Sequence, residues 1–231
     1  MNFDNVTHRR IYITDSLFIS INDTLITVWV IGAILIALAV IVRIKIKKFK
    51  PVPETRFQNV IEAIVEAFDN YATGILTKQY SWLGNWFFGL FLFFALANMI
   101  GITGVLRPPT ADLAVTFAMG FTTVILMTVV GFKYNGMNHV KDWLKPFFLF
   151  LPLNIVGDLT KSVSLSMRLF GNMISGMILM GLIYGMVPAF AGVGPPAALS
   201  MFFDIFVGLL QAFIFVTVSM FFVMTKTPQP D

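Results

Sequence analysis

The sequence predicts an all-α polytopic membrane protein, and three observations predict it. Of its 231 residues, 57% are hydrophobic and 12% charged, about half the charge density of soluble domains. Apolar runs recur at the ~20-residue length that crosses a bilayer. The net charge of +4 is not spread like a nucleic-acid footprint. It gathers in Arg43-Ile44-Lys45-Ile46-Lys47-Lys48-Phe49-Lys50, directly behind one such run, which marks a cytoplasmic flank. That order is the reverse of a cleavable signal peptide. The chain has no cysteine, so disulfides and thiolate ligands are excluded.

A single membrane domain, 1–231, is expected, with these elements in order. Residues 1–23 form an outer N-terminal segment. Residues 24–42 are the first span, and Pro51 and Pro53 break the chain after it. Residues 54–76 are amphipathic: Phe57, Val60, Ile61, Ile64, Phe68, Tyr71, Ala72 and Ile75 share one face, with Glu62, Glu66 and Asp69 opposite. This helix lies on the cytoplasmic surface or packs its apolar face on a partner's helix. Residues 83–132 form a helical hairpin with an outer turn at Arg107–Asp112. The next loop carries Lys133, His139, Lys141 and Lys145 and returns to the cytoplasm. His139 reads as a solvated loop residue, since no second metal ligand lies near it. Residues 147–224 form a pair of long helices. The first, 147–187, is about twice too long for a ~30 Å hydrocarbon core, so it must break or tilt steeply. An unbroken polar stripe argues for tilt. Pro188, Gly192, Gly194, Pro195 and Pro196 make the turn before the last helix, 197–224.

That stripe carries the chemistry. Asn154, Asp158, Lys161, Ser164, Arg168, Asn172 and Ser175 are three or four residues apart, the repeat of one helix face. Each ionisable group in a membrane helix costs about 2.5–3.5 kcal/mol on insertion scales, so such a face must meet water, a counter-charge or a partner. Arg168 is a fixed cation, because its guanidinium does not deprotonate. Apolar residues flank it too deeply for snorkelling. Asp158 lies ten residues away, about 15 Å along the helix, as a distant structural partner. Asp158 and Lys161 either neutralise each other or line water entering from the cytoplasm. The last helix spaces Ser200, Asp204, Gly208 and Gln211 by four, four and three. Asp204 is placed to trade ions with outside water. Gln211 is either interhelical glue or a hydrogen-bonding partner for the arginine helix.

At these residues a family resemblance becomes specific. Ser164-Leu165-Ser166-Met167-Arg168-Leu169-Phe170-Gly171-Asn172-Met173 resembles the signature of subunit a of the F-type ATP synthase membrane sector. Gln211-Ala212-Phe213-Ile214-Phe215 resembles its last-helix motif, and Pro109-Thr110-Ala111-Asp112 its outer-loop motif. The resemblance spans nearly the whole chain. It implies a stationary, non-catalytic subunit that offers two half-channels to a ring of c subunits, each with a membrane carboxylate. Arg168 would separate those channels. Peripheral-stalk b subunits and lipid are the other implied partners. No nucleotide, nucleic acid, metal or cofactor is implied. The implied location is a bacterial plasma membrane, N-terminus outside and C-terminus cytoplasmic. The implied ion path takes in Arg168, Asp204, Gln211, Asn172, Asp158, Lys161, Ser164, Ser175 and Asp112. Protons are the expected ion, with sodium as the alternative.

The chain departs from the common pattern twice. Met177 stands where many members carry glutamate, and Asp204 where many carry histidine or glutamate. Two other classes compete with ion conduction. A non-conducting membrane scaffold would pair Arg168 statically with a partner's acid. An intramembrane hydrolase lacks any Ser/His/Asp set or metal-ligand cluster in this sequence.

Overall fold

A computed structural model describes residues 11–12, 20–21, 23–47, 55–103, 108–137, 143–144, 147–186 and 199–227. Lys48, Lys50, Pro51, Pro53, Arg107, His139, Lys141, Lys145 and the turn at 188–196 lie outside them, as does the side chain of Asp204. Five described helices are long and apolar enough to cross a membrane. The chain is an all-α polytopic membrane protein. Its only described strands are Ile11–Tyr12 and Ser20–Ile21, a two-residue antiparallel pair.

Helix α1, Asp23–Ile46, runs into the basic flank, placing Arg43 and Lys45 in its last turn. Cations there suit the negative end of the helix dipole. Lys45 then lies 4.1 Å over the ring of Phe57 in α2, Arg56–Leu76. Thr55 caps α2 by accepting from the Gln58 backbone N–H at 3.3 Å. The expected apolar face of α2 splits in two. Phe57, Val60 and Ile64 are exposed, while Ala72 and Leu76 are buried in the core. Tyr71 ties this second half to the last helix through a 2.7 Å hydroxyl contact with Thr217.

Helices α3, Trp82–Met99, and α4, Leu113–Asn135, form the hairpin. Leu83, Phe87, Leu90 and Phe94 of α3 are spaced four, three and four and are buried, which is one helix face. The first arm ends earlier than the apolar run suggests, in a 3-10 turn at Ile100–Thr103. Asp112 caps α4, its carboxylate accepting from the Ala114 backbone N–H at 2.9 Å. At the other end of the hairpin the Trp82 indole donates to Tyr134, and Lys133 sits over the Trp82 ring.

Helix α5, Leu151–Met186, is one unbroken helix of 36 residues. At 1.5 Å per residue it is about 54 Å long, well beyond a ~30 Å hydrocarbon core. Pro152 causes no kink because it sits in the first turn, where its missing N–H has no helical partner. Helix α6, Leu199–Met224, is interrupted by a π-helical turn at Phe202–Val207. The core lies between α3, α4, α5, α6 and the C-terminal half of α2, with Phe94 against Phe215 at 4.5 Å.

Candidate ion-path site

Helix α5 has two different faces. Ser162, Leu165, Ser166, Leu169 and Met173 are buried, and the hydroxyl pair of this stripe meets α4. The Ser166 hydroxyl lies 2.9 Å from the carbonyl of Thr116 and 2.8 Å from that of Ser162. Gly120 makes the approach possible, because a Cβ there would run into Ser166 and Ser162. Roughly a third of a turn around α5, Ser164, Arg168, Asn172 and Ser175 are all exposed. Among the described residues Arg168 has no ion-pair or hydrogen-bond partner. A fixed cation in an apolar span, open at the protein surface, must meet water or an opposite charge.

Asn172 joins this face to α6. Its amide donates to the Gln211 side-chain carbonyl at 2.7 Å, and Gln211 is only 3% exposed. So Gln211 does reach the arginine helix, one turn beyond Arg168. Met177, the apolar departure, is exposed on the same helix.

The basic end of the bundle holds a second cluster. Asp158 does not pair with Arg168. Its carboxylate accepts from Lys161 at 2.8 Å, Lys226 at 2.8 Å and the Trp143 indole at 3.1 Å. Asn154 donates to the Trp143 carbonyl at 2.8 Å. These groups, with Leu153 and Gly157, line an open cavity of about 280 Å³. A carboxylate with three donors is well satisfied as an anion. Lys226 was not legible as its partner, because nothing in a sequence aligns position 226 with 158. Asn135 fixes that end of α6 by donating to the Lys226 carbonyl at 3.0 Å.

The regular stripe expected over Ser200, Asp204, Gly208 and Gln211 assumes α-helical phase. The π turn at Phe202–Val207 breaks that phase between Asp204 and Gly208. Asp112, expected on the outer route, caps α4. One site residue escaped the sequence reading. Asn98 in α3 is fully buried and donates to the Gly208 carbonyl at 2.8 Å, while accepting from the Thr110 hydroxyl at 2.7 Å. A lone amide in the apolar run Phe94-Ala95-Leu96-Ala97-Asn98 was the available signal.

Comparison with known proteins agrees with this architecture. Residues 25–224 match the family model described as ATP synthase A chain. The sodium-ion-specific ATP synthase subunit a of Propionigenium modestum is 30% identical, over 87% of this chain and 72% of its own length. ATP synthase subunit a of Desulfosudis oleivorans is 30% identical, over 84% and 83%. That of Limosilactobacillus reuteri is 32% identical, over 74% and 80%. With the family model spanning all five membrane helices and the arginine face at their centre, this chain belongs to the ATP synthase A chain family.

Proposed function

We propose that the chain is the stationary ion-translocating subunit of a rotary F-type ATP synthase and offers two half-channels to a ring of c subunits. The observation that carries this reading is the Arg168 face: it is exposed and polar, and Arg168 itself has no ion-pair or hydrogen-bond partner among the described residues. A fixed cation favours the ionised form of an approaching carboxylate. It therefore promotes release of that site's ion, and its own charge opposes a cation crossing directly between the half-channels. Ser164, Asn172 and Ser175 extend the polar face, with Gln211 behind Asn172. Asp204 serves the outer half-channel, with Asp112 at its mouth, and Asp158 and Lys161 border the inner one. The steep tilt of α5 follows from lying across a cylindrical ring. The chain itself forms no bond and holds no nucleotide.

The basic flanks orient the molecule, with the N-terminus outside and α2, Lys226 and the loop at 133–146 on the cytoplasmic side of a bacterial plasma membrane. Cysteines at Lys48 and Lys141 labelled only from the outside would reverse this. Peripheral-stalk b subunits complete the partners, and residues 1–231 act as one membrane domain.

The ring-facing assignment is tested by disulfide formation in the assembled complex, where this chain offers no background thiol. Cysteines replacing Ser164, Asn172 or Ser175 should cross-link to cysteines beside the ring carboxylate, and those replacing Ser162 or Leu169 should not. The reverse pattern would place another face of α5 against the ring.

Protons are the proposed ion. Sodium is the second reading, favoured by the sodium-ion specificity of the Propionigenium modestum relative. In reconstituted complexes, ATP-driven acidification that survives without sodium supports protons. Sodium uptake that survives a protonophore supports sodium.

A further inference from the structure

A π-helical turn holds one residue more than the α-helical turn it replaces, and such turns are rare and frequently sit at functional sites. The one in α6 contains Asp204 and is capped by Gly208, whose N–H faces the Ile205 carbonyl and the Phe203 carbonyl five residues earlier. Apart from Asp204 the run Met201-Phe202-Phe203-Asp204-Ile205-Phe206-Val207 is apolar, and nothing in it marks where an extra residue should sit. Its position must be fixed from outside the helix.

The fixing contact is at Gly208. Asn98 donates to the Gly208 carbonyl at 2.8 Å from a fully buried side chain. The Gly208 carbonyl can only accept, so it holds the amide nitrogen toward α6, while the buried Thr110 hydroxyl donates to the Asn98 carbonyl oxygen at 2.7 Å. Leaving either end of a buried amide without a partner is costly. Gly208 also has no room for a side chain: a Cβ there would lie 2.8 Å from the Asn98 Cβ. So α3, the outer turn at Pro109–Ala111 and α6 meet at one point, at the last residue to close the π turn.

We propose that Asn98 pins the π turn of α6 and thereby sets the rotational phase of Asp204 relative to Gln211. Asn98 is a positioning residue: it acts through the Gly208 carbonyl. If the turn relaxes to α-helix, residues before Gly208 rotate by about 100° relative to those after it. Gln211 stays against Asn172, while Asp204 leaves its place. The consequence for ion flux rests on the ion-path reading above, but the pinning itself does not.

Two cysteine pairs in the assembled complex read the two halves of α6 separately. A Cβ at Gly176 would lie 3.8 Å from the Phe203 ring, so Gly176→Cys with Phe203→Cys, joined by a short bifunctional thiol cross-linker that spans the space of the removed ring, reports the half before the anchor. The hydroxyls of Thr123 and Ser219 are 3.3 Å apart, so Thr123→Cys with Ser219→Cys reports the half after it. In Asn98→Leu the first pair should lose about fivefold or more of its cross-linking, the effect of one lost hydrogen bond on a two-state turn. The second pair should persist. Gly208→Ala, which pushes on Asn98 without removing its amide, should produce the same split. The split in either variant supports the assignment, and its absence from both overturns it. Ion pumping is measured alongside. Failure of the split leaves the ion-path reading intact, whereas a split with wild-type pumping removes the phase of Asp204 from the ion path.

Discussion

Arg168 has chemistry that was legible from its type and setting alone: a permanent cation flanked by apolar residues on both sides. Asp158 shows where such reading stops. Its i+3 lysine was visible, but Lys226 and Trp143 reach it from other parts of the chain, and periodicity within one helix carries no information about them. The structure makes Asp158 a clamp between α5 and the end of α6. Asp158→Asn should then lower stability by about 1–2 kcal/mol, less than the ~3–5 kcal/mol of a fully buried pair, because Lys161 remains a third exposed. Thermal unfolding of the detergent-solubilised complex measures this. Unchanged stability with blocked flux would instead make Asp158 an ion relay. For Asp204 the prediction runs the other way. Asp204→Asn should slow driven flux strongly while leaving assembly intact, since asparagine cannot gain and lose an ion. Adding Met177→Glu should restore part of it, by returning a carboxylate to α5. Wild-type conduction in Asp204→Asn would move the outer path elsewhere.

Helices were the most legible elements, because a span needs about 20 apolar residues and the bilayer enforces that length. The single long α5 followed from its continuous stripe. The split face of α2 did not, since only packing shows that Phe57, Val60 and Ile64 stay open while Ala72 and Leu76 join the core. The π turn was illegible for a related reason: α and π turns share composition and differ in what lies beside them. The α4–α5 contact is also a packing device. Thr116, Gly120, Ser162 and Ser166 let two backbones approach closely, as small residues do between membrane helices. Gly120→Val should push these helices apart and destabilise by about 1–3 kcal/mol, the range for overpacking a filled interface. A Cβ at that position meets the Ser162 backbone carbonyl at 2.9 Å as well as the hydroxyls, so side-chain rotation cannot relieve it. Thermal stability of the assembled complex checks this, and an unaltered melting temperature would mean the interface has slack.

At the scale of the described bundle, Lys133, Lys161 and Lys226 gather at one end, and Asn98, Thr110 and the π turn lie in the half containing the turn at Pro109–Ala111. Between them lies Arg168, facing outward on the longest helix. A static scaffold and an ion-translocating subunit would both carry such a residue, and they differ in what happens when it changes. The direct measurement is ATP-driven ion pumping by reconstituted complexes carrying Arg168→Ala or Arg168→Lys. The alanine variant should abolish coupled pumping, and lysine should not restore it fully, because an ammonium lacks the planar fork and can lose its proton when desolvated. Near-normal pumping in Arg168→Ala, with the complex fully assembled, would contradict the account and leave this arginine a structural charge.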